Sequence, residues 1–311
     1  MESQKAPIKL YAKRSFGDKM NASFDFIKEN WKPLLKFITY LLLPLSLLQA
    51  LSLNGFMSQY MGIMTEASSG NSNAILGVLP QLGTTYGLTV LCYWIGAMLI
   101  TALVYALIKA YNQRPERLVG ITLTELKPLL MHNFWAMVRL TLFSFLLLLI
   151  TFSLIIGLAV LTPFTLIITL PLLFALIVPM SLYAPVYLFE DIHLMAALAK
   201  TFRLGFATWG GVFLITLLMG IIGGILQGVI GTPWTVAVMV KQLFSISDTG
   251  DAVTVSVGYN FVIYLFAILQ CYGSYLGMTF TLVGVAYQYG HASEVVDSIS
   301  IESDIENFDK L

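Results

Sequence analysis

Apolar residues dominate the chain in long blocks, and the breaks between blocks carry most of its polar residues. A bilayer-crossing helix needs about 20 mainly apolar residues. Six blocks meet that length: 34–54, 86–108, 140–161, 164–188, 210–231 and 260–287. Only Thr162 and Pro163 separate the third from the fourth, which predicts a tight helical hairpin. The outer connections 55–85 and 232–259 are partly apolar and too short to span, so they are expected as interfacial or re-entrant helices.

A second pattern precedes the odd-numbered blocks. Phe16, Met20, Phe24, Ile27 and Trp31 recur at helical spacing, with Asp18, Lys19, Asp25, Lys28 and Glu29 on the other face. Leu123, Leu126, Leu130, Phe134 and Met137 repeat the spacing, and Thr122 with Glu125 reads as a capping box. Met195, Leu198, Phe202, Phe206 and Trp209 repeat it again, with Asp191 as the expected N-cap. FDFIKENW (24–31) and FRLGFATW (202–209) lie 178 positions apart. Trp31, Trp135 and Trp209 stand where each ramp enters its apolar block, a place that suits an indole at headgroup level.

The expected fold is therefore an all-α integral membrane protein with about six transmembrane helices in three repeats. Each repeat is an amphipathic interfacial helix, a span out and a span back. Residues 1–33 form an N-terminal segment containing the first such helix, 34–290 the six-helix membrane domain, and 291–311 an acidic, disordered tail. About 33 mixed polar residues ahead of the first block do not fit a cleavable signal.

Composition agrees: 58% of residues are hydrophobic, only 11% are charged, and mean hydropathy is +0.82. Net charge is zero, which gives no pull toward nucleic acid. Placement says more than the sum. Lys5, Lys9, Lys13, Arg14, Lys19, Lys28 and Lys32 precede the first span. Lys109, Arg114, Arg117, Lys127 and Arg139 follow the second, and Lys200 and Arg203 follow the fourth. The opposite connections hold only Lys241. Positive residues stay inside, so both termini and the three ramps are expected in the cytoplasm.

Candidate chemistry is sparse. The span interiors are nearly free of ionisable groups, which argues against an ion-coupled pump. Cys92 and Cys271 lie in apolar runs without metal-ligand spacing, so neither a metal nor a cofactor is expected. Glu190, Asp191 and His193 are the one acid–base grouping, and helix capping explains them without catalysis. Lys28, Trp31, Lys32, Arg139, Lys200, Arg203 and Trp209 are the candidate lipid-interface residues. Gly224 and Gly228 of the fifth span, with Gly273 and Gly277 of the sixth, are the candidate packing surface. Gln227 and Gln270 are the most polar side chains deep in the spans.

The stretch PVYLFEDIHLMAALAKTFRLGFATWGGVFLI (185–215) resembles the membrane domain attached to some bacterial glycerophosphodiester phosphodiesterases and its stand-alone relatives of uncharacterised function. The likeness spans residues 20–290 and lacks the catalytic barrel. It implies a bacterial inner-membrane protein and does not imply hydrolysis. The readings that follow are a non-enzymatic scaffold or accessory subunit with a protein partner, or a lipid-binding or lipid-transporting protein in contact with membrane lipids. A membrane-embedded enzyme is the third.

Overall fold

The computed structural model describes residues 6–68, 72–247 and 256–299. All regular structure among them is helical. In chain order the helices are α1 (Phe16–Glu29), α2 (Trp31–Ser68), α3 (Ser72–Gln113), α4 (Leu123–Leu161), α5 (Thr165–Met180), α6 (Tyr183–Glu190), α7 (Leu194–Ala207), α8 (Trp209–Ser247) and α9 (Val257–Val296). Among the described residues, six stretches are long and apolar enough to cross a membrane: Trp31–Ile63, Pro80–Gln113, Leu123–Leu161, Thr165–Glu190, Trp209–Leu243 and Val257–Val296.

Several expected boundaries move. The outer connections do not form separate helices: α2 continues to Ser68, α3 begins at Ser72, and α8 continues to Ser247. Once a helix is nucleated, each further residue adds a hydrogen bond at little cost, and neither segment holds a stop strong enough to end it. Pro80 and Pro233 are accommodated inside α3 and α8. The polar tip at 69–71 and the SDTGD stretch lie outside the described residues. α9 runs to Val296, so the first residues of the expected tail are helical, and Ala292, Ser293 and Glu294 are buried. Residues 300–311 of that tail lie outside the described residues. At about 1.5 Å per residue, 40-residue α9 is about 60 Å long, twice a hydrocarbon core of about 30 Å.

The first ramp is a discrete helix. Ser15 caps α1: its Oγ accepts from the Asp18 N–H at 3.2 Å while Asp18 Oδ2 accepts from the Ser15 N–H at 3.3 Å. The third ramp is α7, and α1 and α7 are both 14 residues long and 178 positions apart. Both end in a similar way. Asn30 (φ −111°, ψ 19°) donates from Nδ2 to the Phe26 carbonyl, and Thr208 (φ −125°, ψ 29°) donates from Oγ1 to the Leu204 carbonyl. Both polar side chains thus share the carbonyl four residues back where the backbone leaves the helix; the same bond inside α2 and α4, from Ser46 to Leu42 and from Thr151 to Leu147, leaves those helices unbroken. The second ramp has Phe134 before its tryptophan, which makes no such bond, and α4 runs through unbroken.

The capping expectations hold in part. Thr122 Oγ1 accepts from the Glu125 N–H at 3.3 Å, and the Glu125 carboxylate turns to Arg114 at 3.3 Å. Asp191 is not the N-cap of α7. It ends α6 in the left-handed region (φ 53°), and His193 is the N-cap, with no side-chain hydrogen bond. The expected fourth span is divided between α5 and α6, because Pro185 in the first turn of α6 has no N–H to continue the ladder.

The chain forms two compact units. One holds the segment up to Phe37, Thr101–Ile221 and the chain from Thr279 onward. In it α5 and α6 pack on α7 and on α4. Its core is aromatic: Phe26 lies edge-on to Tyr111 and Tyr287, and Phe189 stacks on Tyr289 at 5.5 Å. The other unit holds Ile38–Ile100 and Ile222–Met278. Its core is Ala50, Trp234, Ala237, Ile263, Ala267, Ile268 and Cys271. Tyrosine and tryptophan anchor that core by donating to polar partners: Trp234 Nε1 to Asn54 at 3.0 Å, Tyr259 to the Ala237 carbonyl at 2.8 Å and Tyr275 to Gln49 at 2.7 Å.

Candidate functional site

The first unit gathers the polar side chains that the apolar blocks exclude. Lys200, on α7, donates to Glu190 at 2.7 Å and to Asp297 at 2.8 Å. Arg203, one turn later, reaches Asp297 at 2.7 Å. Tyr289 donates to the other oxygen of Glu190 at 2.8 Å, and its hydroxyl meets that of Tyr11 at 3.3 Å. Burial opposes the Lys200 charge, and the two carboxylates outweigh it, so its pKa is raised. Burial likewise pushes the Tyr11 hydroxyl up.

An extended N-terminal strap lies on the ends of α3 and α9. The Ile8 and Leu10 amides donate to Tyr111 Oη and Asn112 Oδ1, at 3.2 and 3.1 Å. The Arg14 amide donates to His291 Nδ1 at 3.0 Å. Lys19, 4% exposed, donates to Gln288 Oε1 at 2.7 Å, and the Gln288 amide donates to Thr208 at 3.2 Å. No carboxylate pairs with Lys19 among the described residues. Burial lowers its pKa.

The exposure of the ramps separates them. On α1 the buried face is Lys19, Ala22, Ser23 and Phe26, while Phe24 and Trp31 of the aromatic stripe are exposed, Trp31 by 53%. On α7 the buried face is Ala197, Thr201, Leu204 and Gly205, while Met195 (65%) and Phe206 (50%) are exposed. α4 does the opposite: Leu126, Leu130 and Met137 of its stripe are buried.

The remaining sequence candidates fall into two groups. Lys28, Lys32 and Arg139 are exposed, and the Lys32 ammonium sits 5.7 Å from the Trp31 ring. Lys200 and Arg203 instead serve the Glu190–Asp297 cluster. Trp209 is a joint: its Nε1 donates to the Ala175 carbonyl at 3.1 Å, and its ring stacks on Phe213 at 5.5 Å. Glu190 is engaged as described, and Asp191 faces His132 at 3.2 Å on an exposed surface. No group of three or more His, Cys, Asp or Glu side chains able to hold a metal occurs among the described residues.

The fifth–sixth packing surface is displaced by one residue. Gly273 and Gly277 take part, but their counterparts are Gly223 and Ile230. A Cβ on Gly223 would fall on the Gly277 carbonyl, and one on Gly277 would meet the Gly223 carbonyl at 2.6 Å. Gly224 and Gly228 have open space where a Cβ would stand. One residue along a helix is a rotation of about 100°, enough to carry Gly224 off the contact face. Gln270 projects into the gap left by Gly231, and its Oε1 is buried without a hydrogen-bond partner.

A groove runs beside the α1–α2 break. Asp25, Lys28, Glu29, Pro115, Glu116, Arg117 and Val119 enclose about 460 Å³. An adjoining hollow of about 430 Å³ shares Glu29 and Val119 and adds Lys32, Lys36, Phe37 and Thr122. Arg117 closes on Glu29 at 2.6 Å from a left-handed backbone (φ 55°), and Tyr111 donates to the same Glu29 oxygen at 3.1 Å. That hydrogen bond to Glu29 raises the Arg117 pKa. The sequence offered the lysines as a list and gave no sign that the 114–122 turn would face them.

No protein-family model, curated protein or solved structure matches the chain.

Proposed function

We propose that the chain is a non-enzymatic scaffold or accessory subunit of a membrane assembly, with both termini in the cytoplasm. The bacterial inner membrane is the setting implied by the resemblance of residues 185–215. The observation that carries the reading is the use to which the ionisable side chains are put. Glu190, Lys200, Arg203 and Asp297 are joined to one another and to Tyr289, tying α6, α7 and the end of α9 together. Of the acid–base grouping in the sequence, Glu190 is thus engaged in a clasp, while Asp191 faces His132 and His193 caps α7. Native mass spectrometry of the protein, released from its own membranes in polymer nanodiscs, is expected to show a second protein at fixed stoichiometry. A chain that always emerges alone overturns this reading.

A second reading, engagement of lipid, is favoured by α1 and α7. Two 14-residue helices, each leading into a span, bury one face (Ala22, Ser23 and Phe26 on α1; Ala197, Thr201 and Leu204 on α7) and leave Phe24 and Phe206 exposed on the other. Exposing Phe24, Trp31 and Phe206 to water to this extent would cost about 1 kcal/mol each, and lipid removes that cost. In this reading α1 and α7 are equivalent interfacial helices of a repeated unit lying on the cytoplasmic leaflet. The unbroken α4 serves its own repeat as a collar.

A further inference from the structure

We infer that the hollow between the start of α2 and the 114–122 turn binds the phosphate headgroup of an anionic phospholipid. The inference rests on the reading that α1 and Trp31 lie at the leaflet.

Charge is the first argument. Lys32 and Lys36 are one helical turn apart on the same face of α2, and both line the hollow. Neither makes an ion pair among the described residues; their ammonium groups rest 5.7 Å from the Trp31 ring and 5.5 Å from the Phe37 ring. Glu29 is the one carboxylate in the lining, and Arg117 already neutralises it at 2.6 Å. What remains is two lysines with no carboxylate partner among the described residues, lining a hollow of about 430 Å³.

Shape is the second argument. Across from α2 the wall is apolar: Val119, with Leu118 and Ile121 buried behind it. Val119, 76% exposed, stands at the rim. The turn is held in this form by two left-handed residues, Arg117 and Gly120 (φ 66°), and by the Arg117–Glu29 bond. A small soluble phosphate would satisfy the lysines and leave that wall unused. A phospholipid satisfies both, with its phosphate on Lys32 and Lys36 and its glycerol and upper acyl carbons on Val119.

The test is lipid retention by the full-length protein in detergent, read by native mass spectrometry during titration with dioleoyl phosphatidylglycerol or dioleoyl phosphatidylcholine. Wild type is expected to hold the anionic lipid preferentially. K32Q/K36Q is expected to bind it about thirtyfold more weakly, and the charge-matched K13Q/K127Q to bind as wild type. Should K32Q/K36Q fold poorly, V119E, a change at an exposed rim position, supplies the same readout by placing a carboxylate at the entrance. Unchanged lipid selectivity in K32Q/K36Q or V119E overturns the proposal. Displacement of the lipid by inorganic phosphate alone overturns the lipid source. The parent reading is checked separately: brominated lipid should quench the fluorescence lost in Trp31→Phe. If Trp31 is not quenched, the leaflet reading fails and takes the site with it. If Trp31 is quenched while K32Q/K36Q keeps its selectivity, only the headgroup site fails.

Discussion

Lys19 carries an ammonium into a nest of amides and hydroxyls, with Gln288 Oε1 as its acceptor and no carboxylate partner among the described residues. Burial lowers its pKa from the ordinary 10.5. Between the lowered folded value and 10.5, the unfolded chain holds the proton and the folded chain has released it. Stability therefore rises with pH across that interval. Thermal unfolding of wild type beside Lys19→Met should show wild type gaining on the variant as pH rises toward 10.5. A constant difference would mean that Lys19 keeps its ordinary pKa. Lys200 has the opposite sign: its raised pKa means that its contribution is complete below 10.5 and is lost only as pH climbs through the folded value. The sequence marked Lys200 as a surface cation beside lipid. It could not foresee that Glu190 and Asp297, 10 and 97 positions away, would close on it.

At the scale of the element, the helix–helix contact of α8 with α9 turns on a single residue of register. Gly223 abuts the Gly277 backbone, and Gly224 faces open space. Gly223→Ala should destabilise the protein by about 1–3 kcal/mol, since a methyl group there meets backbone that cannot move aside. Gly224→Ala and Gly228→Ala should be neutral or stabilising by up to about 1 kcal/mol through helix propensity. Melting temperatures of the three variants in one detergent decide the matter, and an equal loss at Gly224 would contradict the register. The helices themselves were largely legible. Ser15, Asn30 and Thr208 are short polar residues at the ends of α1 and α7, where their side chains bond the backbone. The length of α2, α3 and α8 was not legible, because residues 55–68, 72–85 and 232–247 mix apolar and polar positions without a stop.

For the whole molecule, six apolar stretches and the skewed distribution of Lys and Arg make one topology testable. Cys92 and Cys271 are both buried and free, which leaves a quiet background for added thiols. In intact cells a membrane-impermeant maleimide should label Thr162→Cys, at the exposed turn between α4 and α5. It should label Lys13→Cys only after the membrane is opened. Labelling in the reverse order would place the basic connections outside and contradict the positive-inside reading. α4 and α5 show why six spans could be counted so readily: nearly every residue from Leu142 to Phe174 is apolar, and many of their side chains stay exposed in the folded chain.

What the sequence determined by itself is the six stretches long and apolar enough to span, the position of α1 and α7, and the uneven placement of Lys and Arg between the connections. These follow from local physics: apolar length, the 3.6-residue period and short polar caps act within a few turns of helix. What only the tertiary structure decided is which side of each helix meets protein. In water an apolar stripe points inward, because only the interior is apolar. In a membrane, lipid and protein interior are both apolar, so the stripe does not distinguish them. Hence Phe24 and Trp31 face out while Leu126 and Leu130 face in, and Gly223 packs where Gly224 was expected.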